Sequence, residues 1–295
     1  MLKKLSYFLE YLVFITFVRL FQFLGIQKTR KLTKVISLFV YYIIPLRKKI
    51  IRKNLQIAFP ELKSNEINDL IKKIYFHNFL TFAELFLFEK LSEEQIKSLI
   101  KFDNPEIPTK IINDNLGAIF LTAHFGNWEL GAIAIALNIQ RKLSIVYKKI
   151  RNPYIDAWLL KVRNRFNNSI PLGISLKELI LEIRNKSIIG LVADQRAPKD
   201  SKISVKFFNT QITAYEGPAT LAIKYKTPIY LVIAYRNQDF SYNCFFQQLV
   251  VDENLTETQK IEFITQEYYT LLENIIKKYP EQWFWLHNRW KHINT

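Results

Sequence analysis

The sequence predicts an α/β fold: a central mixed sheet flanked by helices, preceded by an N-terminal membrane-associated helical part. Three observations carry this. Between residues 116 and 236, short apolar runs of strand length alternate with helical stretches, the pattern of an α/β sheet core. Hydrophobic residues make up 49% of the 295 positions and aromatics 15%, enough for a sizeable core and too apolar for disorder of the low-hydrophobicity kind. The first 46 residues hold two apolar runs bordered by lysine and arginine. Only 7 Gly and 10 Pro occur, with no fixed-period repeat and no linker-like composition. Residues 1–46 therefore read as N-terminal anchor helices and 47–295 as one domain.

Taken in order, residues 5–26 (LSYFLEYLVFITFVRLFQFLGI) are about long enough to span a bilayer, but Glu10, Arg19 and Gln22 interrupt them. Lys3 and Lys4 precede the run, and Lys28, Arg30, Lys31 and Lys34 follow it. No small-residue cleavage site follows, which argues against a removed signal peptide. A second run, 35–46, ends in RKKIIRKN. Basic clusters beside apolar helices favour an anionic cytoplasmic leaflet. The anchor is then a tilted span or an interfacial helix; two ordinary buried helices are the alternative. From 52 to 100 apolar residues recur at three- and four-residue spacings, predicting helices. One starts at Ser64, with Glu66 and Asp69 behind it, and another at Ser92 (SEEQIKSLIKF, 92–102) with acids in its first turn. Strands are predicted at 116–123, 142–150, 187–194 and 228–236. Helices are predicted after Trp128 and over 153–166, 175–185, 217–226 and 256–279.

The formal net charge of +16, from 42 Lys+Arg against 26 Asp+Glu, attracts anionic partners: nucleic acid, anionic lipid headgroups or acidic carrier proteins. The single cysteine, Cys244, excludes an intramolecular disulfide and has no candidate base beside it, so it reads as structural.

Of the four histidines, His77, His124, His287 and His292, His124 has the most informative setting. It follows a predicted buried strand and precedes a helix, where sites of α/β sheets collect. Gly126 permits a tight backbone there. Glu129 lies five residues on, and on one continuous helix it would face away from His124. The pair makes sense with His124 in the turn and Glu129 in the first helical turn. Glu129 would then bond Nδ1, leaving Nε2 free as a general base toward a hydroxyl, with helix-start N–H groups available to an oxyanion. One His and one Glu lack a third metal ligand, so neither metal nor cofactor is expected. His77 reads as structural. Alone, His-x4-Glu recurs by chance.

It does not stand alone. AHFGNWEL (123–130) resembles the His-x4-Asp/Glu signature of the lysophospholipid acyltransferase superfamily, in the version found in the bacterial lipid A biosynthesis late acyltransferases (lauroyl/myristoyl acyltransferases). RKKIIRKNLQIAFPEL (47–62) resembles the basic segment before that family's catalytic domain, and YKKIRNPYID (147–156) its Arg-Asn-Pro block. VADQR (192–196) is similar to its Asp-Gln block, and YPEQWFWLHNRWK (279–291) to its C-terminal block. The blocks fall in order over essentially the whole chain.

The resemblance implies a glycerolipid acyltransferase-like core at the cytoplasmic face of the cell inner membrane, with 47–295 as the acyltransferase domain. It implies ester formation between an acyl thioester and a lipid hydroxyl, with His124 as base, Glu129 orienting it, and no covalent acyl-enzyme. The expected donor is acyl carrier protein, with acyl-CoA the alternative. The expected acceptor is an anionic glycolipid of the lipid A precursor kind, with another glycolipid, an aminolipid or a lysophospholipid as alternatives. Arg151, near a strand end, is expected to bind a substrate phosphate. Asp194 and Gln195 are expected to shape the same pocket, though Asp194 pairing with an arginine is the structural alternative. Asn127 and Trp128 are site wall or packing. Trp283, Trp285, His287, Arg289 and Trp290 form either a membrane-facing block or a buried closing strand. A basic membrane-scaffold or nucleic-acid-binding protein is the non-enzyme alternative; no nucleic-acid-binding motif is present, so nucleic acid is not an expected partner.

Overall fold

The computed structural model describes residues 2–172, 176–197 and 201–291; His292 and the first residue of the helix predicted over 175–185 lie outside these. The two apolar runs form one helix, α1 (Leu2–Tyr42), kinked at Gly25 where φ is 69°. That left-handed value breaks the i→i−4 ladder and is open to glycine at little cost. After α2 (Lys48–Ala58), the long α3 (Ser64–Leu87) packs antiparallel to the part of α1 that follows Gly25 and meets the part before it near its own C-terminal end. Phe14 meets Phe86 near the end of α3, and Tyr41 meets Tyr75 a few turns earlier.

The polar residues that interrupt the apolar run face the body of the protein. The Gln22 amide donates to Phe86 O and to Glu89, both at 3.0 Å, and Glu10 accepts from Asn152 Nδ2 at 3.0 Å. Arg19 lies 3.6 Å from Glu89. Buried Thr29 and Thr33 satisfy their hydroxyls on the carbonyls of Phe21 and Thr29.

The segment predicted as one helix over 92–102 divides into α4 (Glu93–Ser98) and β1 (Ile100–Phe102). Ser92 and Gln95 close a capping box on α4, worth about 1 kcal/mol. Then come α5 (Glu106–Asn113), β2 (Ala118–Thr122), α6 (Trp128–Ile139), β3 (Leu143–Tyr147), α7 (Pro153–Asn164), β4 (Asn168–Pro171), α8 (Leu176–Arg184) and β5 (Ile188–Val192). A hairpin of β6 (Ser204–Phe207) and β7 (Thr210–Thr213) precedes α9 (Gly217–Lys224), β8 (Ile229–Arg236), β9 (Tyr242–Gln248) and α10 (Glu257–Lys278).

The seven-stranded sheet has the order β1-β9-β8-β2-β5-β3-β4. It is mixed: β8, β2, β5, β3 and β4 are parallel, β9 runs against β8, and β1 follows β9. Strands β2 and β5 are hydrophobic without alternation because helices cover both faces. They pair in register from Ala118↔Ile188 to Thr122↔Val192. Two residues beyond the last pair stand His124 and Asp194.

The C-terminal block is buried, not membrane-facing, and is not a strand. It is a 3-10 turn (Pro280–Gln282) and irregular chain with one bridge, Phe125 to Trp283. Trp283, Trp285 and Trp290 bury against Phe207 and Phe208, with Trp283 and Trp285 at 4.7 Å and edge-on. Edge-on aromatic pairs add about 0.5–1.5 kcal/mol each beyond area burial.

Candidate active site

The turn after β2 carries His124, and its shape is set from several directions. Gly126 has φ 55°, and a Cβ there would stand 2.1 Å from the carbonyl oxygen of Ala234. The Gly126 N–H donates to Gln282 O at 3.0 Å, and its carbonyl accepts from Thr81 Oγ1 at 2.6 Å. Phe284 N–H donates to His124 O at 3.0 Å. Two tyrosines of α10 pin the strand ends: Tyr268 donates to Thr122 O at 2.9 Å and Tyr269 to Ala193 O at 3.0 Å.

The carboxylate on the His124 ring is Asp194. Its Oδ1 lies 2.8 Å from Nδ1, while Oδ2 accepts from the His124 backbone N–H at 3.1 Å and from the Trp283 indole at 2.8 Å. Glu129, expected at Nδ1, instead makes a two-pronged pair with Arg163 of α7, one prong Nε to Oε2 at 3.0 Å and the other Nη2 to Oε1. The helix start after the turn carries Glu129's carboxylate to α7, whereas sheet pairing places Asp194 directly beside the imidazole.

The electrostatics favour an imidazole that accepts a proton. Burial of His124 opposes its charged form, but the Asp194 charge and hydrogen bond, with Glu129 behind them, outweigh it; Arg163 opposes them, and the net shift is upward. Burial of Asp194 pushes its carboxyl up, yet His124, the Trp283 indole and the His124 amide hold it below its usual range. Asp194 is thus the anionic partner of a ring that remains 24% exposed.

The other expected residues divide. Gln195 lines the cavity beside His124, its amide 3.5 Å from Nδ1. Trp128 stands edge-on to the His124 ring at 5.1 Å and lines the cavity. Asn127 is buried and absent from the lining. It caps α6, accepting from Leu130 N–H at 3.0 Å, and donates to Glu84 at 3.0 Å. Arg151 is exposed and lies outside the lining, with Nε 3.2 Å from the Tyr7 hydroxyl. The neighbouring Asn152 caps α7 and ties it to α1. Cys244 is buried, its thiol pushed up by burial, and His77 is half-buried with Nδ1 3.0 Å from Arg236.

Sequence reasoning missed Arg163, Glu84 and Arg236. Arg236 is fully buried and shares Glu84 with Arg30 of α1 and with the Tyr242 hydroxyl. Glu84 in turn holds Asn127, so this buried charge cluster backs the His124 turn. An acidic residue inside an apolar helical stretch, such as Glu84 in FAELFLF, was the available signal.

His124 faces an apolar cavity of about 1010 Å³, at the large end for ligand sites. Phe14, Phe86, Trp158 and Ile145 contribute to its wall. The site thus sets a proton-accepting imidazole, paired with a carboxylate, beside a dry space of the size of a hydrocarbon chain.

The family described as bacterial lipid A biosynthesis acyltransferase matches residues 1–292. The chain belongs to this family and is an acyltransferase. It is similar to a lipid A biosynthesis palmitoleoyltransferase of Escherichia coli K12, 19% identical over 247 residues, which cover 83% of this chain and 79% of that protein. A lipid A biosynthesis acyltransferase of Haemophilus influenzae is 24% identical over 247 residues, 83% of this chain and 78% of that one. A lipid A biosynthesis acyltransferase of Shigella flexneri is 19% identical over the same length.

Proposed function

We propose that the protein moves a fatty acyl chain from an acyl carrier protein thioester to a hydroxyl of a lipid A precursor, at the cytoplasmic face of the inner membrane. The observation that carries this reading is the His124–Asp194 pair, with Nδ1 and Oδ1 2.8 Å apart, opening on the apolar cavity. Asp194 holds the proton on Nδ1, so Nε2 is the free base. Nε2 takes the proton of the acceptor hydroxyl as its oxygen attacks the thioester carbonyl carbon. The tetrahedral oxyanion is met by N–H groups of the first turn of α6. It collapses to the ester, and the departing thiolate takes the proton back from His124.

Glu129 supports the transient imidazolium through its charge and is itself held by Arg163. Gln195 contacts the reacting groups from the cavity wall. Asn127 acts through the cap and Glu84, and Arg151 meets an anionic substrate group from outside the cavity.

Residues 1–46 supply membrane attachment and 47–295 the chemistry. Among the described residues α1 is the one helix long and apolar enough to cross a membrane. It leaves Leu9, Val13, Phe17 and Phe23 exposed, Phe23 at 88%. The net charge of +16 suits an acidic carrier protein and an anionic lipid.

The test is mass spectrometry of a reaction holding purified protein, acyl carrier protein thioesters and a tetra-acylated lipid A precursor, with His124→Ala alongside. A gain of one acyl chain, absent in the variant, is expected. No gain with the wild type overturns the acceptor assignment, and an equal gain with the variant overturns the base.

A further inference from the structure

A second cavity, about 370 Å³, lies beside the first and is lined by Leu46, Arg47, Phe79, Phe82, Phe284 and Leu286, together with Asn78. Phe82 and Phe284 line both cavities. The partition between them is therefore a few rings thick and adjoins His124, which lines the larger cavity. The Phe284 ring is 5.9 Å from that of His124, and Phe82 is 6.0 Å from Trp128, which is 5.1 Å from His124.

One edge of the second cavity is the turn after α1, where Ile43, Ile44 and Leu46 are exposed at 65%, 55% and 48%. The next residues are Arg47, Lys48 and Lys49. The Arg47 guanidinium is set by a 3.1 Å bond from Nη1 to Leu286 O, and the Lys48 ammonium sits over the Tyr41 ring at 3.5 Å. Among the described residues, no salt bridge includes any of these three. An apolar slot, an exposed apolar turn and three cations without carboxylate partners thus occur within a few residues. Their complement is an amphiphile with a hydrocarbon chain and an anionic head.

We infer that the second cavity holds the hydroxyl-bearing chain of the anionic lipid acceptor, with a phosphate of its headgroup on Arg47, Lys48 and Lys49. This rests on the proposed acyl transfer to a phosphorylated glycolipid and deepens it. The larger cavity then holds the donor chain, and the two chains reach His124 from opposite sides of Phe82 and Phe284. Two cavities resolve a geometric demand of the reaction, because the attacking hydroxyl must approach the thioester carbonyl from outside the donor's own channel. The division also predicts that acceptor and donor are recognised by separable residues.

The experiment uses the full-length enzyme and a tetra-acylated lipid A precursor with a diazirine at the end of its hydroxyacyl chain. Photolysis is followed by peptide mapping. Adducts on the segments containing Leu46, Phe79 and Leu286 are expected. Adducts confined to the larger cavity, at Ile145 or Leu172, overturn the inference and leave the acceptor assignment standing.

Kinetics provide a second readout. Leu46→Trp, which fills the slot from an exposed position, and Arg47→Glu should each raise the acceptor KM by about tenfold or more, with the donor KM unchanged. Leu172→Trp, in the larger cavity, should alter donor chain-length preference and leave the acceptor KM unchanged. If Leu46→Trp and Arg47→Glu leave the acceptor KM at the wild-type value, the slot is not the acceptor site. A wild-type enzyme that does not acylate the precursor at all removes the acceptor assignment and this inference together.

Discussion

Replacing Asp194 by asparagine isolates the electrostatic and tautomeric contribution of this side chain from its shape. Asp194 accepts three hydrogen bonds: from the His124 ring at 2.8 Å, the His124 amide at 3.1 Å and the Trp283 indole at 2.8 Å. An asparagine oxygen in the place of Oδ2 keeps the last two. Its NH2 group then faces Nδ1, which must become an acceptor, and the ring proton moves to Nε2. An imidazole protonated at Nε2 is unable to take the acceptor's proton. A wrong tautomer in otherwise intact geometry costs on the order of 10³–10⁴ in kcat, about 4–5.5 kcal/mol of transition-state stabilisation at 1.36 kcal/mol per tenfold.

A second signature follows from charge. Asp194 is a main support of the raised His124 pKa. The base must be neutral to act, so kcat/KM rises with pH through that pKa. In Asp194→Asn the pKa falls, and the acidic limb of the profile moves to lower pH while the plateau drops. The assay is kcat/KM against pH, with product followed by mass spectrometry and circular dichroism confirming the fold. A plateau within about tenfold of wild type, or an acidic limb that does not move, would refute Asp194 as the orienting group.

Three further outcomes follow from the site. Glu129→Gln leaves Arg163 charged and largely buried beside His124, so it should cost about 2–4 kcal/mol in urea unfolding and move the acidic limb of the rate profile down. Glu129→Leu/Arg163→Met together should be more stable than either single variant, and an additive loss would count against a coupled pair. Gly126→Ala should destabilise by more than the ~1–2 kcal/mol of a left-handed backbone, because its Cβ meets the Ala234 carbonyl. Wild-type unfolding of that variant would show that the turn has room the structure denies it.

Much of the architecture was legible in local patterns. The four buried strands at 118–122, 143–147, 188–192 and 229–236 were expected from apolar runs of strand length, and helices α6, α7, α9 and α10 from their spacing and caps. Strands β1, β4 and β9 escaped notice, as did the β6–β7 hairpin. The first two have three and four residues, and β9 (YNCFFQQ) mixes polar and apolar positions because only part of it is buried. The kink at Gly25 escaped for a different reason: residues 5–26 and 35–46 read as separate runs because the polar and basic segment between them ends the apolar pattern, while the helix continues through it.

By itself the sequence determined that His124 ends a buried strand, that Glu129 stands in the following helical turn, that Asp194 and Gln195 end another strand, and that the N-terminus is an apolar helix with basic flanks. Tertiary structure alone decided who touches whom. Asp194 reaches His124 across 70 residues because β5 pairs with β2 in register. Glu129 is taken by Arg163, 34 residues on, because α7 lies beside α6's first turn. Glu10 and Gln22 are accommodated in an apolar helix because α1 docks on α3 and α7. Period and composition record which face of an element is buried; strand order and helix docking, which choose partners, are properties of the folded whole.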